Sequence, residues 1–335
     1  MTGKTILVTG GTGAIGSNLI KQLTTSQAYD KLVILDNNSS GHADNIQESE
    51  NIVVVNGDIC DEAVLEKAFS EGITHVYHLA ANFANQNSVN YPVKDLTTNG
   101  LGVVKLLEKC VEHDVKKILY ASSSCVYKPV VGAFSETSPI MLSTPYSITK
   151  MLSEYYVTFF NKYKGLPAVI VRYFSSYGPG DYPGQFRSVI PNFLWKATHN
   201  EPLIITGTGK ETRPFTYIDD IVNGSIAAMD NSGDRIVKSY YTHPHEADDN
   251  LIYNIGTETT TEMIELAEKI NALTGNTAGI EYVERRDWDE MPHRGVDASK
   301  AKKELNFDAT ISLDEGLQKT LEWFKSDAFN KGHIK

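Results

Sequence analysis

The sequence has few cysteines and lacks a long hydrophobic run. Its three cysteines, Cys60, Cys110 and Cys125, are odd in number and widely spaced, which excludes a disulfide framework and a paired-cysteine metal motif. No stretch approaches the ~18 consecutive apolar residues of a membrane span. The start, MTGKTILVTGG, runs into a strand pattern without an apolar signal region. We therefore expect a soluble, cytoplasmic protein in a reducing compartment.

Basic residues are also outnumbered. The chain of 335 residues has 31 Lys and Arg against 42 Asp and Glu, a formal net charge of −11. Such a surface repels nucleic-acid backbones and anionic membranes, so we expect neither as a partner. A small anionic ligand needs a site where positive charge is focused. The hydrophobic fraction of 41% suffices for a large core and excludes a disordered or fibrous protein.

Short apolar runs alternate with helix-length amphipathic segments through the first 175 residues. This order predicts parallel strands buried on both faces, and therefore an α/β fold with a Rossmann-type, doubly wound parallel sheet. The predicted strands are Thr5–Thr9, Leu32–Asp36, Ile52–Asn56, His75–Leu79, Ile118–Ala121 and Ala168–Arg172. The predicted helices include Ala14–Thr24, Ala63–Glu71, Leu96–His113 and Tyr146–Tyr163.

A glycine-rich turn follows the first predicted strand. Gly10, Gly13 and Gly16 stand directly ahead of a helix, and because glycine lacks a Cβ, a pyrophosphate can approach the N–H groups of the helix N-terminus. Asp36 ends the second strand 20 residues after Gly16. A carboxylate there accepts hydrogen bonds from ribose hydroxyls and repels a 2′-phosphate, which favours NAD over NADP. Asp58, after the third strand, either meets the adenine amino group or caps the next helix.

Tyr146 and Lys150 lie one helical turn apart in the segment YSITK. A cation so close is expected to lower the pKa of the phenol and make Tyr146 a general base, while Lys150 also binds the cofactor ribose. The fifth predicted strand is followed by Ser122, Ser123 and Ser124. Hydroxyls at this end of a parallel sheet point into the ligand crevice, where one can orient a substrate hydroxyl; alternatively, they only satisfy backbone groups of the turn.

Further motifs are spread along nearly the whole chain: VTGGTGAIGSNL, HLAA, SSSCVY, YSITK, VRYFSSYGPG, GTGKETRPFTYIDD and DASKAKKELNF. With them the chain resembles the extended short-chain dehydrogenase/reductase family, in its NAD-dependent nucleotide-sugar epimerase and dehydratase branch, which includes UDP-glucose 4-epimerases. The resemblance implies that Ser123, Tyr146 and Lys150 are catalytic, and that Asn99 and Tyr173 line the nicotinamide side. The expected cofactor-binding residues are Gly10, Gly13, Ala14, Ile15, Gly16, Asp36, Asn37, Asp58, Ile59, Leu79, Ala80, Ala81, Asn99, Ser122, Tyr146, Lys150 and Tyr173.

The resemblance also implies that the substrate is a nucleoside-diphosphate sugar, with UDP as the expected nucleotide. Arg213 and one member of the pair Arg285 and Arg286 match the diphosphate-binding arginines of the family, and guanidinium groups suit phosphate oxygens. We assign Arg286, although counting alone does not separate the pair. The expected substrate-binding residues are Ser123, Ser124, Ser175, Asn192, Leu203, Ile205, Arg213, Arg286 and Arg294.

Two positions bear on the reaction. The family's dehydratases carry an Asp-Glu pair where this chain has Ser124 and Cys125, and its decarboxylases commonly keep a glutamate at the position of Cys125. Elimination of water needs an extra acid and base, so dehydration is disfavoured. The missing glutamate disfavours decarboxylation as well. A 4-epimerase needs only transient oxidation at C4, with Tyr146 as base, and return of the hydride to the opposite face.

Three further departures concern the substrate. Ser175 replaces a diphosphate-contacting asparagine, and Lys128 replaces a glycine. Arg294 stands where related epimerases gate the sugar pocket. It either pairs with a carboxylate, which would allow a uronic acid or another modified hexose, or faces solvent.

We therefore expect an NAD-dependent 4-epimerase of a UDP-hexose. The alternatives are a dehydratase, decarboxylase or keto-sugar reductase on the same scaffold, and a non-catalytic NAD-sensing protein. An epimer has the mass of its substrate, so product mass separates the first two classes.

The expected division of the chain is an NAD-binding domain of residues 1–174 with a returning segment at 213–255. Residues 175–212 and 256–335 form a smaller, interleaved α/β lobe for the nucleotide sugar. The polar segment 232–250 is expected to be a solvated loop, and no metal site is expected, because the spacing of its acids and histidines matches no known cage. These residues are His243, His245, Glu246, Asp248 and Asp249.

The helices at 96–113 and 146–163 carry apolar residues beyond a single stripe, among them Val103, Leu107, Tyr155, Val157 and Phe159. Related proteins dimerise by pairing these two helices into a four-helix bundle, so a homodimer is expected. Burial of the same residues in the protein's own core is the alternative.

Overall fold

The computed structural model describes residues 3–47, 49–129, 132–237, 251–289, 291–326 and 329. The expected solvated loop, 232–250, lies mostly outside these residues, and so do His243, His245, Glu246, Asp248 and Asp249. The strands are β1 (Thr5–Thr9), β2 (Lys31–Asp36), β3 (Ile52–Asn56), β4 (His75–His78), β5 (Lys117–Ser123), β6 (Ala133–Phe134), β7 (Ala168–Tyr173), β8 (Ser176–Tyr177), β9 (Leu203–Thr206), β10 (Thr212–Arg213), β11 (Thr216–Tyr217), β12 (Ile252–Ile255), β13 (Thr261–Glu262), β14 (Ile280–Val283) and β15 (Gly295–Val296).

The helices follow the predicted apolar patterns closely. They are α1 (Ala14–Ser26), α2 (Glu62–Phe69), α3 (Asn85–Asn90), α4 (Pro92–Leu96), α5 (Gly102–Glu112), α6 (Pro145–Lys164), α7 (Val189–Thr198), α8 (Ile218–Asn231), α9 (Met263–Thr274), α10 (Ser299–Leu305) and α11 (Leu313–Phe324). None of the described helices is long and apolar enough to cross a bilayer.

Seven of the described strands form one parallel sheet in the order β12-β7-β5-β4-β1-β2-β3. Both faces are covered, because alternate side chains of each strand enter different cores: Leu7 packs with α2, α5 and α6, whereas Val8 packs with α1 and α8. This confirms the predicted doubly wound sheet. The strand order reverses between β2 and β4 around β1, and ligands of such sheets bind at the carboxyl ends of the strands beside this point.

A separate hydrophobic core holds α7, α9, α11 and β9 together, with Phe193, Leu203, Leu266 and Leu321 fully or almost fully buried. By contrast, α8 packs under the large sheet and β12 extends it beside β7. The same is true of α10, whose Ala301 and Leu305 lie in the core under the sheet, although the sequence grouped this region with the smaller lobe.

The helix predicted at Leu96–His113 is interrupted. A π-helical turn at Thr97–Leu101 separates α4 from α5. Asn99 lies in this turn and uses its side-chain amide to bond Asn82 and Asp95. Short π-helical turns within helices are frequent at functional sites.

Candidate active site

A cavity of about 580 Å³ runs along the carboxyl ends of the strands and continues between the sheet and the smaller lobe. Its walls extend from the glycine turn at Gly10, past Ser123 and Tyr146, to Arg213 and Arg286. All of the predicted cofactor and substrate residues line this cavity except Asn99 and Leu203. The structure therefore brings together residues that are up to 284 positions apart in the chain, from Gly10 to Arg294.

The two exceptions are buried elsewhere. Asn99 is 1% exposed; it accepts a hydrogen bond from the backbone N–H of Asn82 and donates to the Asn82 carbonyl. It therefore shapes the chain after β4 instead of forming the cavity wall. Leu203, the first residue of β9, is fully buried in the lobe core with side chains of α7 and α9. Its neighbour Ile204, which was not predicted, lines the cavity.

The glycine turn has the shape that a pyrophosphate site requires. Gly10 has a φ of +72°, and a Cβ there would lie 2.6 Å from the backbone nitrogen of Ala80. A Cβ on Gly16 would lie 2.3 Å from the carbonyl oxygen of Gly10. No side chain caps α1 at Gly13, so its first-turn N–H groups are left for an anion in the cavity.

Asp36 lies at the carboxyl end of β2, beside this turn, and is 9% exposed. Its carboxylate accepts hydrogen bonds from the backbone N–H groups of Thr12 (2.9 Å) and Asn38 (2.8 Å). Asn37 donates to Asp58 at 2.8 Å, so the two predicted acids of this region are held in one polar rim. The turn and the rim fit the diphosphate and adenosine ribose of NAD.

Ser123, Tyr146 and Lys150 meet at the centre of the cavity. Thr144 caps α6, accepting a hydrogen bond from the Ser147 N–H at 3.2 Å, which places Tyr146 in the first turn. The Lys150 ammonium donates to the Ala121 carbonyl at 2.8 Å and lies 5.6 Å from the centre of the Tyr146 ring.

Burial shifts the pKa values of Tyr146 and Lys150. Burial raises the pKa of Tyr146, the negative charges of Cys125 and Asp95 add to this, and a hydrogen bond with Ser123 opposes it. The expectation of a lowered Tyr146 pKa is therefore wrong for the protein by itself. The buried Lys150 ammonium donates its hydrogen bond to the Ala121 carbonyl. Burial lowers the pKa of Lys150 to about 8.

In the sequence, Cys125 is of interest only because related decarboxylases commonly have a glutamate at this position. In the structure its thiol lies in the cavity. Its Sγ accepts hydrogen bonds from Asn85 Nδ2 at 3.4 Å and from Arg294 at 3.6 Å. Burial alone raises the pKa of Cys125, but the Arg294 charge and the hydrogen bonds from Ser123, Asn85 and Arg294 outweigh it, so the pKa is lowered. Arg294 Nε is buried without a hydrogen-bond partner among the described residues.

Arginine side chains line the far end of the cavity, where an Arg213 nitrogen lies 3.9 Å from Asp289 Oδ2. Arg213 donates to the carbonyls of Thr212 and Pro292, each at 2.8 Å. Burial, with the nearby Arg294 charge, lowers the Arg213 pKa to about 9, so it stays charged at neutral pH. Arg286 lines the cavity with its guanidinium 5.6 Å from the Trp288 ring centre. Arg285 does not line it.

Two residues predicted to bind the substrate, Asn192 and Ser175, also bear on the backbone geometry around the cavity. Asn192 accepts from the Gly184 N–H at 2.8 Å and donates to the Gly184 carbonyl at 3.1 Å, which shapes the loop before α7. Ser175 has a φ of +40°. Asparagine tolerates this left-handed region better than most residues, which explains why the family's usual residue suits the position.

Several cavity residues were missed by the sequence analysis. Asp181, Arg187 and Trp288 line the cavity, but each lies in an irregular segment where no spacing indicates a site. Arg187 donates to the Ser40 carbonyl, and the rings of His42 and Tyr182 lie 4.2 Å apart. These contacts join the loop after β2 to the segment before α7 across the cavity.

A family model described as the NAD dependent epimerase/dehydratase family matches residues 6–256. The chain belongs to this family. Membership confirms the predicted family and the use of NAD, and the large sheet is the expected Rossmann-type fold.

Individual members of the NAD dependent epimerase/dehydratase family differ in reaction. The chain is 32% identical over 336 residues to a UDP-N-acetyl-alpha-D-glucosaminuronate decarboxylase from Bacillus cytotoxicus, covering 96% of this chain and 98% of the relative. The structure of an epimerase from Methanothermobacter thermautotrophicus is 41% identical with a TM-score of 0.87, covering 96% of this chain and 92% of that one. A UDP-glucose 4-epimerase from Thermotoga maritima is 31% identical with a TM-score of 0.86, covering 96% and 98%. This protein thus belongs to a family of enzymes and is related to nucleotide-sugar epimerases and decarboxylases.

Proposed function

We propose that the protein is an NAD-dependent 4-epimerase of a nucleoside-diphosphate hexose, with a UDP-sugar as substrate. The observation that carries the proposal is the composition of the cavity centre. Ser123, Tyr146 and Lys150 lie together between the glycine turn and the arginines, while the two positions next to Ser123 are Ser124 and Cys125. The side chains for proton transfer at one carbon are present, and the carboxylates used for elimination are not at those positions.

In the proposed reaction Tyr146 accepts the proton of the sugar C4 hydroxyl and later returns it. Ser123 hydrogen-bonds the same hydroxyl and orients it. Lys150, with a pKa of about 8, is largely protonated at neutral pH and stabilises the ionised phenol as it forms. Bound NAD supplies the acceptor, and then the donor, of the C4 hydride. Rotation of the keto sugar between the two transfers inverts C4.

The arginines support binding of the diphosphate. Arg213 and Arg286 line the cavity beyond the catalytic centre, and their charges supply the local positive field that a protein of net charge −11 otherwise lacks. Asn192 and Ile205 are placed to form the wall beside them. Arg286, and not Arg285, is the proposed second diphosphate ligand.

The test is to incubate the purified full chain with UDP-glucose, UDP-galactose and their N-acetylated and uronic analogues, and to follow products by proton NMR and mass spectrometry. We expect one C4 pair to interconvert without a change in mass or net consumption of NAD. Tyr146→Phe should lower kcat by about 10²- to 10⁴-fold. Tyr156→Phe, on the exposed side of the same helix, is the matched control and should leave it unchanged. Failure to interconvert any pair would rule the proposal out.

A uronate decarboxylase is the second candidate. Arg294 lines the cavity with a buried Nε that has no hydrogen-bond partner within the described part of the chain, and a guanidinium suits a carboxylate. The Bacillus cytotoxicus relative is named as a decarboxylase of a UDP-linked uronate. Loss of the mass of carbon dioxide from the uronic substrates would establish this alternative.

We further propose a homodimer formed by α4 to α6. These helices expose Val93 (77%), Leu101 (50%), Phe159 (44%) and Tyr163 (52%), an apolar surface that a second copy would cover. The expectation from Val103, Leu107 and Val157 is wrong in detail, because these three side chains are buried in the protein's own core. Free thiols at Cys60, Cys110 and Cys125 support a reducing, cytoplasmic location.

A further inference from the structure

A buried ion pair lies directly behind the catalytic centre. Glu154 on α6 and Arg172 on β7 have side chains that are 0% exposed. Arg172 Nε donates to Glu154 Oε1 at 2.9 Å, and a terminal nitrogen donates to Oε2 at 2.5 Å. The guanidinium stacks 4.7 Å from the ring centre of Tyr127. Replacing such a pair with apolar residues often leaves stability unchanged or improved, so stability alone is a weak reason for its presence.

The pair is connected to the strand that carries Ser123. The Ser122 hydroxyl donates to Glu154 Oε1, and one turn earlier on α6 Lys150 donates to the Ala121 carbonyl. Two successive residues at the end of β5 are thus bonded to two successive turns of α6. Ser123 is the next residue of the strand, and Tyr146 is one further turn back along the helix.

Glu154 also contributes charge. Burial lowers the pKa of Lys150 to about 8, and the negative charges of Asp95, Glu154 and Cys125 oppose this. The titratable groups around the ammonium come from α4, α6, β4, β5 and the turn after β5: Asp95, Tyr146, Glu154, His78, Tyr120 and Cys125.

We propose that Glu154 is a positioning residue for the reaction: it holds α6 in register with the end of β5, so that Tyr146 and Ser123 face the same substrate hydroxyl, and it places a carboxylate one helical turn from Lys150. Arg172 orients the carboxylate for this role. The inference rests on the proposed function for its kinetic part, because the residues it positions are those that handle the C4 hydroxyl.

The test compares Glu154→Gln and Glu154→Asp in the full chain with its bound cofactor. Glu154→Gln removes the charge and should lower kcat by about 10- to 100-fold, since small misplacements of reacting groups have effects of this size, with little change in KM. Loss of the charge lowers the Lys150 pKa further. The alkaline decline of kcat, which is the fall of kcat as Lys150 loses its proton with rising pH, should therefore begin at lower pH. Glu154→Asp keeps the charge but is one methylene shorter, so it should lower kcat while leaving the alkaline decline near its original pH.

A second readout does not depend on turnover. NMR of ¹⁵N-lysine-labelled protein follows the titration of the Lys150 ammonium, assigned by its loss in Lys150→Met, and should show a lower midpoint in Glu154→Gln only. If the wild type interconverts no sugar pair, the proposed function fails while this titration still tests the charge contribution. Because Glu154→Gln leaves Arg172 without its partner and can impair folding, Ser122→Ala, which leaves the ion pair intact, is the second variant. Because Ser122 is also an expected cofactor-binding residue, this variant should lower kcat while the amount of bound NAD stays unchanged.

Asn161→Ala is the control for general loosening of α6. Asn161 is fully buried on the same helix and bonds Leu166 and Arg235, away from the cavity. It should reduce the melting temperature without moving the alkaline decline. Unchanged kcat and unchanged Lys150 titration in a folded Glu154→Gln, or an equal loss of kcat in Asn161→Ala, would overturn the proposal.

Discussion

Asp181 lines the cavity from the smaller lobe and is 7% exposed. Burial raises its pKa to about 6, although the Ser188 hydroxyl, 2.7 Å away, and the charge of Arg187 oppose this. The native protein therefore binds more protons than the unfolded chain between about pH 4 and pH 6. Stability contributed by protonated Asp181 is lost as pH rises through this window.

Asp181→Asn should remove this pH dependence, because asparagine resembles the protonated acid and does not titrate. The free energy of unfolding near pH 8 should rise by up to about 3 kcal/mol, the equivalent of the pKa shift, and change little near pH 4. Urea unfolding at both pH values measures this. The exposed Asp287→Asn serves as control, and an Asp181→Asn curve parallel to the wild type across this range would contradict the prediction.

At the scale of elements, the turn between β1 and α1 has less room for a side chain at Gly16 than at Gly13. A Cβ at Gly16 would lie 2.3 Å from the Gly10 carbonyl oxygen and 2.7 Å from Gly11 Cα, whereas at Gly13 the nearest atom is 3.3 Å away. Backbone atoms cannot yield as a flexible side chain can. The turn itself must therefore shift to accept a methyl group at Gly16.

Gly16→Ala should consequently destabilise the protein by about 1 to 3 kcal/mol, despite the better helix propensity of alanine. Gly13→Ala should be clearly milder. Thermal unfolding of the two variants measures the difference, and absorbance of nucleotide released on denaturation shows whether NAD is retained. Equal melting temperatures for the two variants would show that the close approach at Gly16 does not limit the turn.

Element boundaries could be predicted where one pattern runs long enough. Thr5–Thr9 and Ile52–Asn56 are strands with the predicted bounds, because each is a nearly continuous run of apolar, largely β-branched residues. The strand Ile280–Val283 and the helix Asn85–Asn90 were not predicted. The first is mostly exposed and the second is polar and short, so neither has a periodicity to detect.

At the scale of the whole molecule, the proposed dimer would cover the exposed apolar side chains of α4 to α6. Phe159→Arg with Tyr163→Arg places two charges on this face, where they would be buried in the proposed dimer. Sedimentation velocity should show a dimer for the wild type and a monomer for the double variant. Val54→Arg, at a residue 50% exposed on β3, should remain dimeric. A wild type that is monomeric across the concentration range would exclude the dimer.

The sequence alone determined the sheet, the NAD turn and the pair Tyr146 and Lys150, because each depends on short-range spacing: apolar runs, glycines around a helix start, and side chains one turn apart. The tertiary structure decided the rest. It selected Arg286 over Arg285 for the cavity, buried Asn99 and Leu203 behind its walls, and placed Arg294 against Cys125. Charge states were decided there too, since the pKa values of Tyr146 and Lys150 follow from burial, which depends on contacts between segments far apart in the chain.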